Sequence, residues 1–106
     1  MKKLVIIESP FAGNLKKNTK YARKCMRDCF NRGEIPFASH LLYTQEGILN
    51  DLIPGERKKG IAAGHLWGKF ADKTVVYIDL GISDGMKEGI KDAKKEKRDV
   101  ELRTLK

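Results

Sequence analysis

TVVYIDLGISDGMKEGIKDA, residues 74–93, changes its hydrophobic period half-way, and that change decides the fold. Thr74 to Leu80 is an almost uninterrupted apolar run of β-branched and aromatic residues, the pattern of a buried strand. Gly81-Ile82-Ser83 breaks it, and Ser83 is a natural helix N-cap. Beyond it the apolar period becomes helical, with Met86, Ile90 and Ala93 on one side and Lys87, Lys91, Lys94 and Lys95 on the other. A buried strand running straight into an amphipathic helix is half of a βαβ unit. The alternating stretch Asp99 to Leu105 reads as the returning strand.

The same grammar extends toward the N-terminus. Lys3 to Glu8 is a short apolar strand ended by Ser9-Pro10. Residues 14–31 have helical period, with Leu15, Ala22, Cys25, Met26, Cys29 and Phe30 forming the apolar stripe and Gly33 the stop signal. Residues 35–40 read as a second strand, and Pro36 places it at a sheet edge because it lacks the N–H a central strand needs. A polar loop covers residues 42–54. A helix follows over about residues 55–70, with Ile61, Leu66 and Trp67 on its apolar side. Gly60, Gly64 and Gly68 recur every four residues, a spacing that lets another helix approach closely.

The element order is therefore β-α-β-α-β-α-β in a single domain over residues 1–106. It predicts a Rossmann-like or flavodoxin-like three-layer α/β fold around a four-stranded parallel sheet of order 2-1-3-4. At 106 residues there is one core, and 41% hydrophobic residues suffice to build it. No apolar run is long enough to span a bilayer and no signal-peptide pattern follows Met1, so a cytoplasmic protein without membrane attachment is expected. Cys25 and Cys29 share a helix face in a geometry unsuited to a disulfide, and no second Cys/His pair completes a zinc site. They read as buried thiols; no metal and no cofactor is implied. The net charge of +8 makes anionic partners plausible, but the basic residues are spread along helices and equally describe solvated faces.

Ligands of such sheets bind beyond the carboxyl ends of the strands, where strand order reverses. Three segments meet there. Ser9-Pro10-Phe11-Ala12-Gly13-Asn14 leads into a helix N-terminus, whose free N–H groups favour an anion, with Gly13 allowing close approach; Asn14 either serves that site or only caps the helix. His40, Tyr43 and Gln45, in the segment 39–45, offer ring and amide groups suited to a base or sugar; His40 reads as a hydrogen-bonding rather than a catalytic residue. In the third segment Gly81, Ser83, Gly85 and Met86 border the crevice, and Asp79 ends the most buried strand, where it touches ligand or accepts backbone hydrogen bonds. Glu88 is the obvious carboxylate of the third helix. At about 100° per residue it points about 200° away from Met86 and Ile90, toward solvent, while Gly89 sits nearer the pocket.

At these loops the sequence resembles the nucleoside 2-deoxyribosyltransferase-like family, especially its small bacterial and phage relatives. The resemblance rests on Ser9-Pro10-Phe11-Ala12-Gly13, His40-Leu41-Leu42-Tyr43-Thr44-Gln45, and Gly81-Ile82-Ser83-Asp84-Gly85-Met86 with Ile90 and Ala93, in the family's order and spacing over nearly the whole chain. It implies a nucleoside or nucleotide pocket, usually built in a homo-oligomer. It also implies a third-helix glutamate that attacks the sugar's anomeric carbon, and that position is Gly89 here.

The expectation is a nucleoside- or nucleotide-binding protein that sequesters or senses its ligand without cleaving it. The alternative is an active N-glycoside hydrolase or 2-deoxyribosyltransferase using Glu88, Asp79 or Glu8 as its carboxylate. A basic nucleic-acid binder is third, set back by the even spread of charge. Trp67, Leu66 and Phe70 offer a possible self-association face, although tryptophan is more often found in a core.

Overall fold

The computed structural model describes residues 2–106. The chain runs β1 (Leu4–Glu8), α1 (Leu15–Asn31), β2 (Ile35–Phe37), α2 (Ser39–Leu42), α3 (Pro54–Gly68), β3 (Lys73–Tyr77), α4 (Asp84–Lys95) and β4 (Asp99–Arg103). The strands form one parallel sheet in the order β2-β1-β3-β4. This is the α/β architecture and strand order read from the sequence. Strand order reverses beside β1, so the carboxyl ends of β1 and β3 flank the crevice such sheets use for ligands.

Side chains alternate across a parallel sheet, and the two faces here differ in kind. Val5, Ile7, Val75 and Tyr77 meet Tyr21, Cys25 and Cys29 of α1 together with Ala38. Each fully buried valine or isoleucine there stabilises by about 1.5–3 kcal/mol. Ile6, Glu8, Thr74 and Val76 have the opposite parity and lie on the side covered by α3 and α4, where Met86, Gly89 and Ala93 are buried. Both cysteines are free and buried on α1, where they fill space between helix and sheet. Among the described residues no helix is long and apolar enough to cross a membrane.

Several boundaries differ from expectation. Leu15 and Phe30 follow the apolar period of α1, but they are 45% and 56% exposed. The buried set is Asn18, Tyr21, Ala22, Cys25 and Cys29; Leu15 is the first residue of the helix and Phe30 is one residue past the stripe. The strand expected over 35–40 stops at Phe37, since the Ala38 carbonyl accepts from Leu41 N and Leu42 N (both 3.1 Å) and starts the α2 turn. The strand expected through Leu80 ends at Tyr77: Gly81, at φ 88°, donates to the Ile78 carbonyl and closes a turn. β4 ends at Arg103 rather than Leu105, whose N–H is taken by the Asp79 carboxylate at 2.9 Å.

Helix α3 does not have the apolar face assigned to it. Leu66 and Trp67 are 59% and 48% exposed, and the only buried residue of this helix is Gly68. Its glycines admit side chains instead of a second long helix. A Cβ at Gly64 would lie 2.7 Å from Ser39 Oγ, and one at Gly68 would lie 2.9 Å from Arg98 Nη2. Trp67 donates to Tyr43 OH at 2.7 Å and lies against Phe37, with ring centroids 5.2 Å apart.

On the α1 face a polar network seals the sheet. Arg103, 5% exposed, makes two hydrogen bonds to Glu34 at 2.7 and 2.6 Å, one to Glu101 and one to Tyr77 OH. Lys73 bridges Glu101 and Glu34 at 2.8 and 3.3 Å. Hydrogen bonds from Arg103 and Lys73 hold the Glu101 carboxyl down at about 2. The set is satisfied throughout, which is the condition for tolerating buried charge.

Candidate functional site

A cleft of about 390 Å³ opens over the carboxyl end of β1, between α2, α3 and α4. Strand β1 contributes Ile6 and Glu8, followed by Ser9, Phe11 and Ala12. The start of α2 contributes Ser39 and His40. From α3 come Arg57, Ile61, Gly64 and His65, and from α4 the first-turn residues with Gly89 and Asp92; Arg98, just before β4, reaches in from below. Ser83 caps α4: its Oγ accepts from Met86 N at 3.3 Å, and Met86 Sδ accepts from Ser83 N at 3.3 Å. That cap fixes the helix so that its N-terminal end borders the cleft.

The central feature is Glu8. A Cβ built on Gly89 would fall inside the Glu8 carboxyl, closer than real Cβ atoms approach any neighbour. The carboxyl from β1 therefore occupies the volume that a side chain at position 89 would need. Burial pushes the Glu8 pKa up to about 8, with the Arg98 charge pulling it back and Asp92 adding to the rise. At neutral pH the group is mainly a neutral acid, able both to donate and to accept a hydrogen bond.

Two polar assemblies flank it. Ser9 Oγ and His40 Nε2 are hydrogen-bonded at 2.8 Å, and the His40 ring meets Phe11 edge-on with centroids 6.0 Å apart. Burial drives the His40 pKa down to about 4, so the imidazole is neutral. On the other side Arg98 donates to Thr74 Oγ1 (2.9 Å), the Gly68 carbonyl (2.8 Å) and Asp92 (3.2 Å). His65 Nδ1 is 3.7 Å from the second Asp92 oxygen. Arg98 is thus committed within the protein, while Arg57, 3.8 Å from Asp51 and 41% exposed, is the looser cation.

The structure gathers part of the expected residue set. Ser9, Phe11, His40, Ser83, Gly85 and Met86 line this cleft. Gly13 lines an adjoining one. Pro10 is buried beneath the loop. Asn14 caps α1, accepting from Lys17 N at 3.1 Å, and Asn18 clamps the loop through the Phe11 and Ala12 carbonyls.

The remaining expected residues lie elsewhere. Tyr43 is bonded to Trp67 outside the cleft, and Gln45 donates to the Leu42 carbonyl. Gly81 forms the turn after β3, and Glu88 is exposed on the far side of α4, as its helical phase requires. Asp79 has the parity of Tyr77 and faces α1; its carboxylate accepts from Tyr21 OH at 2.7 Å and from Leu105 N, contacts that lower its pKa. The geometry thus withdraws Asp79 and Glu88 from the cleft and puts Glu8 into it.

Arg57, His65, Asp92 and Arg98 escaped the sequence reading. They sit inside helices or at a strand entry, away from the strand-end loops, and the signal that pointed toward them was the glycine spacing of α3. Among the described residues no group of three or more His, Cys, Asp or Glu side chains is placed to hold a metal ion.

The family profile described as Domain of unknown function (DUF7768) matches residues 3–103. The chain belongs to the DUF7768 family. Comparison with curated proteins finds no match. Among solved structures, this DUF7768 chain is similar to a 2-deoxyribosyltransferase from the psychrotolerant bacterium Bacillus psychrosaccharolyticus. The TM-score is 0.73 and the identity 18%, over 95% of this chain and 72% of that one. At that identity the likeness is one of fold: the DUF7768 domain has the architecture of a 2-deoxyribosyltransferase.

Proposed function

We propose that the cleft binds a nucleoside or nucleotide and holds it intact. The observation that carries this reading is the Glu8 carboxyl, set in the space vacated by Gly89 and kept mainly neutral by burial. A neutral carboxyl is a poor nucleophile but a good hydrogen-bond partner for a base edge or a sugar hydroxyl. Ser9 and the neutral His40 add directional hydrogen bonds, Phe11 an aromatic surface, and the α4 N-terminus with Arg57 a place for phosphate. The fold of a 2-deoxyribosyltransferase supports the choice of ligand class. The test is equilibrium binding of a nucleoside and nucleotide panel to wild type, Glu8→Ala and Ser83→Ala. Wild-type binding that both substitutions weaken supports the site; ligand affinities unchanged in both variants would remove it.

A second reading, hydrolysis or transfer at the N-glycosidic bond, is favoured by the same carboxyl. A proton held up to about pH 8 is what a general acid for the departing base requires, and Asp92 is the lining carboxylate whose charge acts on Glu8. This reading predicts free base released from deoxynucleosides or their monophosphates, with loss of activity in Glu8→Gln. Intact recovery of every compound counts against it.

A further inference from the structure

The nucleotide cleft does not end at its outer rim. A second cavity, of about 580 Å³, continues from it under the loop between α2 and α3, and the two share Phe11, Ala12, Asp51 and Arg57 as a common wall. From this arrangement we infer that the ligand has two ring-bearing parts joined through phosphate, with Arg57 at the junction. This rests on the nucleotide reading of the first cleft and extends it to the ligand's class.

The charge distribution carries the inference. Among the described residues Arg57 is the one basic residue lining both cavities; its ion pair with Asp51 on the same wall is long, at 3.8 Å, and its side chain is 41% exposed, so the guanidinium can also take an anion. It also lies close to the α4 N-terminus: a Cβ at Gly85 would be 3.8 Å from Arg57 Nη2. A phosphate at the junction would meet a guanidinium and the positive end of a helix together.

Beyond the junction the chemistry inverts. The second cavity is lined by the apolar side chains of Leu15, Ile48, Leu49 and Leu52, and by the acidic Glu46, Asp51 and Glu56. Glu56 is fixed by accepting from Asn50 N at 2.9 Å. With Arg57 the only cation on its wall among the described residues, this compartment disfavours further phosphate and suits an uncharged base or sugar, whose amino or hydroxyl groups can donate to the carboxylates. Each compartment is in the range of a cavity for a small organic ligand. The class that fits is a nucleotide whose phosphate or diphosphate bridges to a second neutral sugar or base. A nucleoside triphosphate, which would push two more charges toward Glu46 and Glu56, is the wrong shape of charge.

Isothermal titration of adenosine and thymidine series tests this, comparing in each the 5′-monophosphate, the 5′-triphosphate, the symmetrical dinucleoside diphosphate and the diphosphate-linked sugar. The bridged compounds should bind about tenfold or more tighter than the monophosphate, and the triphosphate no tighter than it. Which bridged compound wins tells whether the second compartment takes a base or a sugar. Leu52→Asp, at a residue 84% exposed and so harmless to folding, should erase the advantage of the bridged compounds and leave monophosphate binding unchanged. Monophosphates that bind as tightly as bridged compounds, or a Leu52→Asp protein that retains the advantage, would overturn the two-part ligand while leaving the nucleotide cleft standing. Failure of every compound, monophosphates included, would instead bring down the nucleotide reading and this inference with it.

Discussion

Replacing Glu8 by glutamine should make the protein more stable, and increasingly so as pH rises. In the native state the Glu8 proton is held to about pH 8, whereas an ordinary glutamate loses it near 4.5. Between those values the folded chain binds more protons than the unfolded chain, so stability falls as pH increases through that window and levels off above it. Below about pH 4.5 both states are protonated and the penalty is absent. The interval spans about three and a half pH units, each worth about 1.4 kcal/mol, so the ceiling is about 5 kcal/mol.

Glu8 keeps partial access to the cleft and faces both Arg98 and Asp92, so water and counter-charge reduce the cost, and about 1–3 kcal/mol is expected. Urea unfolding of wild type and Glu8→Gln at pH 5, 7 and 9 measures it. The buried His40, neutral when folded, loses stability below its ordinary pKa of 6.5 in both proteins and cancels in the difference. A difference between the two proteins that stays constant from pH 5 to 9 would refute the burial of the Glu8 carboxyl.

Other substitutions probe the same geometry. Gly89→Ala normally gains helix stability, up to about 1 kcal/mol, but here it should lose about 1–3 kcal/mol because the new methyl group meets the Glu8 carboxyl. In a Glu8→Ala background the same change should turn favourable, a reversal that a double-mutant cycle by denaturant unfolding would read. Glu34→Gln removes one of the two carboxylates paired with buried Arg103, leaving Glu101, and should cost about 1.5–3 kcal/mol, seen as a lower urea midpoint. Asp79→Asn should lower the melting temperature by loosening Tyr21 and the C-terminal segment, without altering the affinity of any cleft ligand. Ser83→Ala removes the α4 cap and should cost about 1 kcal/mol in thermal unfolding.

The fold was legible because period and punctuation agree along the chain: the apolar runs at 4–7 and 74–78, the helical stripes between them, and Pro36 at the edge. The crevice loops were legible for the same reason, since a parallel sheet leaves little choice about where its strands end. The identity of the carboxyl was not. Glu8 and Asp79 both follow apolar runs, and what separates them is parity: Glu8 shares a face with Ile6 and meets α4, whereas Asp79 shares a face with Tyr77 and meets Tyr21 of α1. Both faces are apolar in sequence, so nothing local says which of them carries the cleft. Gly89 was read correctly as facing the pocket with no side chain to offer. That its space is filled by Glu8 from strand β1 is a three-dimensional fact. Trp67 and Leu66 keep an apolar helical spacing without being buried, because α3 turns its glycines inward to admit Ser39 and Arg98.

The most direct test of the central claim is to incubate wild-type protein with a mixed nucleoside and nucleotide panel, filter it, and chromatograph the filtrate before and after heat denaturation. The account predicts that at least one compound leaves the filtrate with the protein and returns intact on heating, and that Glu8→Ala protein retains far less of it. A panel recovered in full before heating, or free base released into the filtrate, would contradict it.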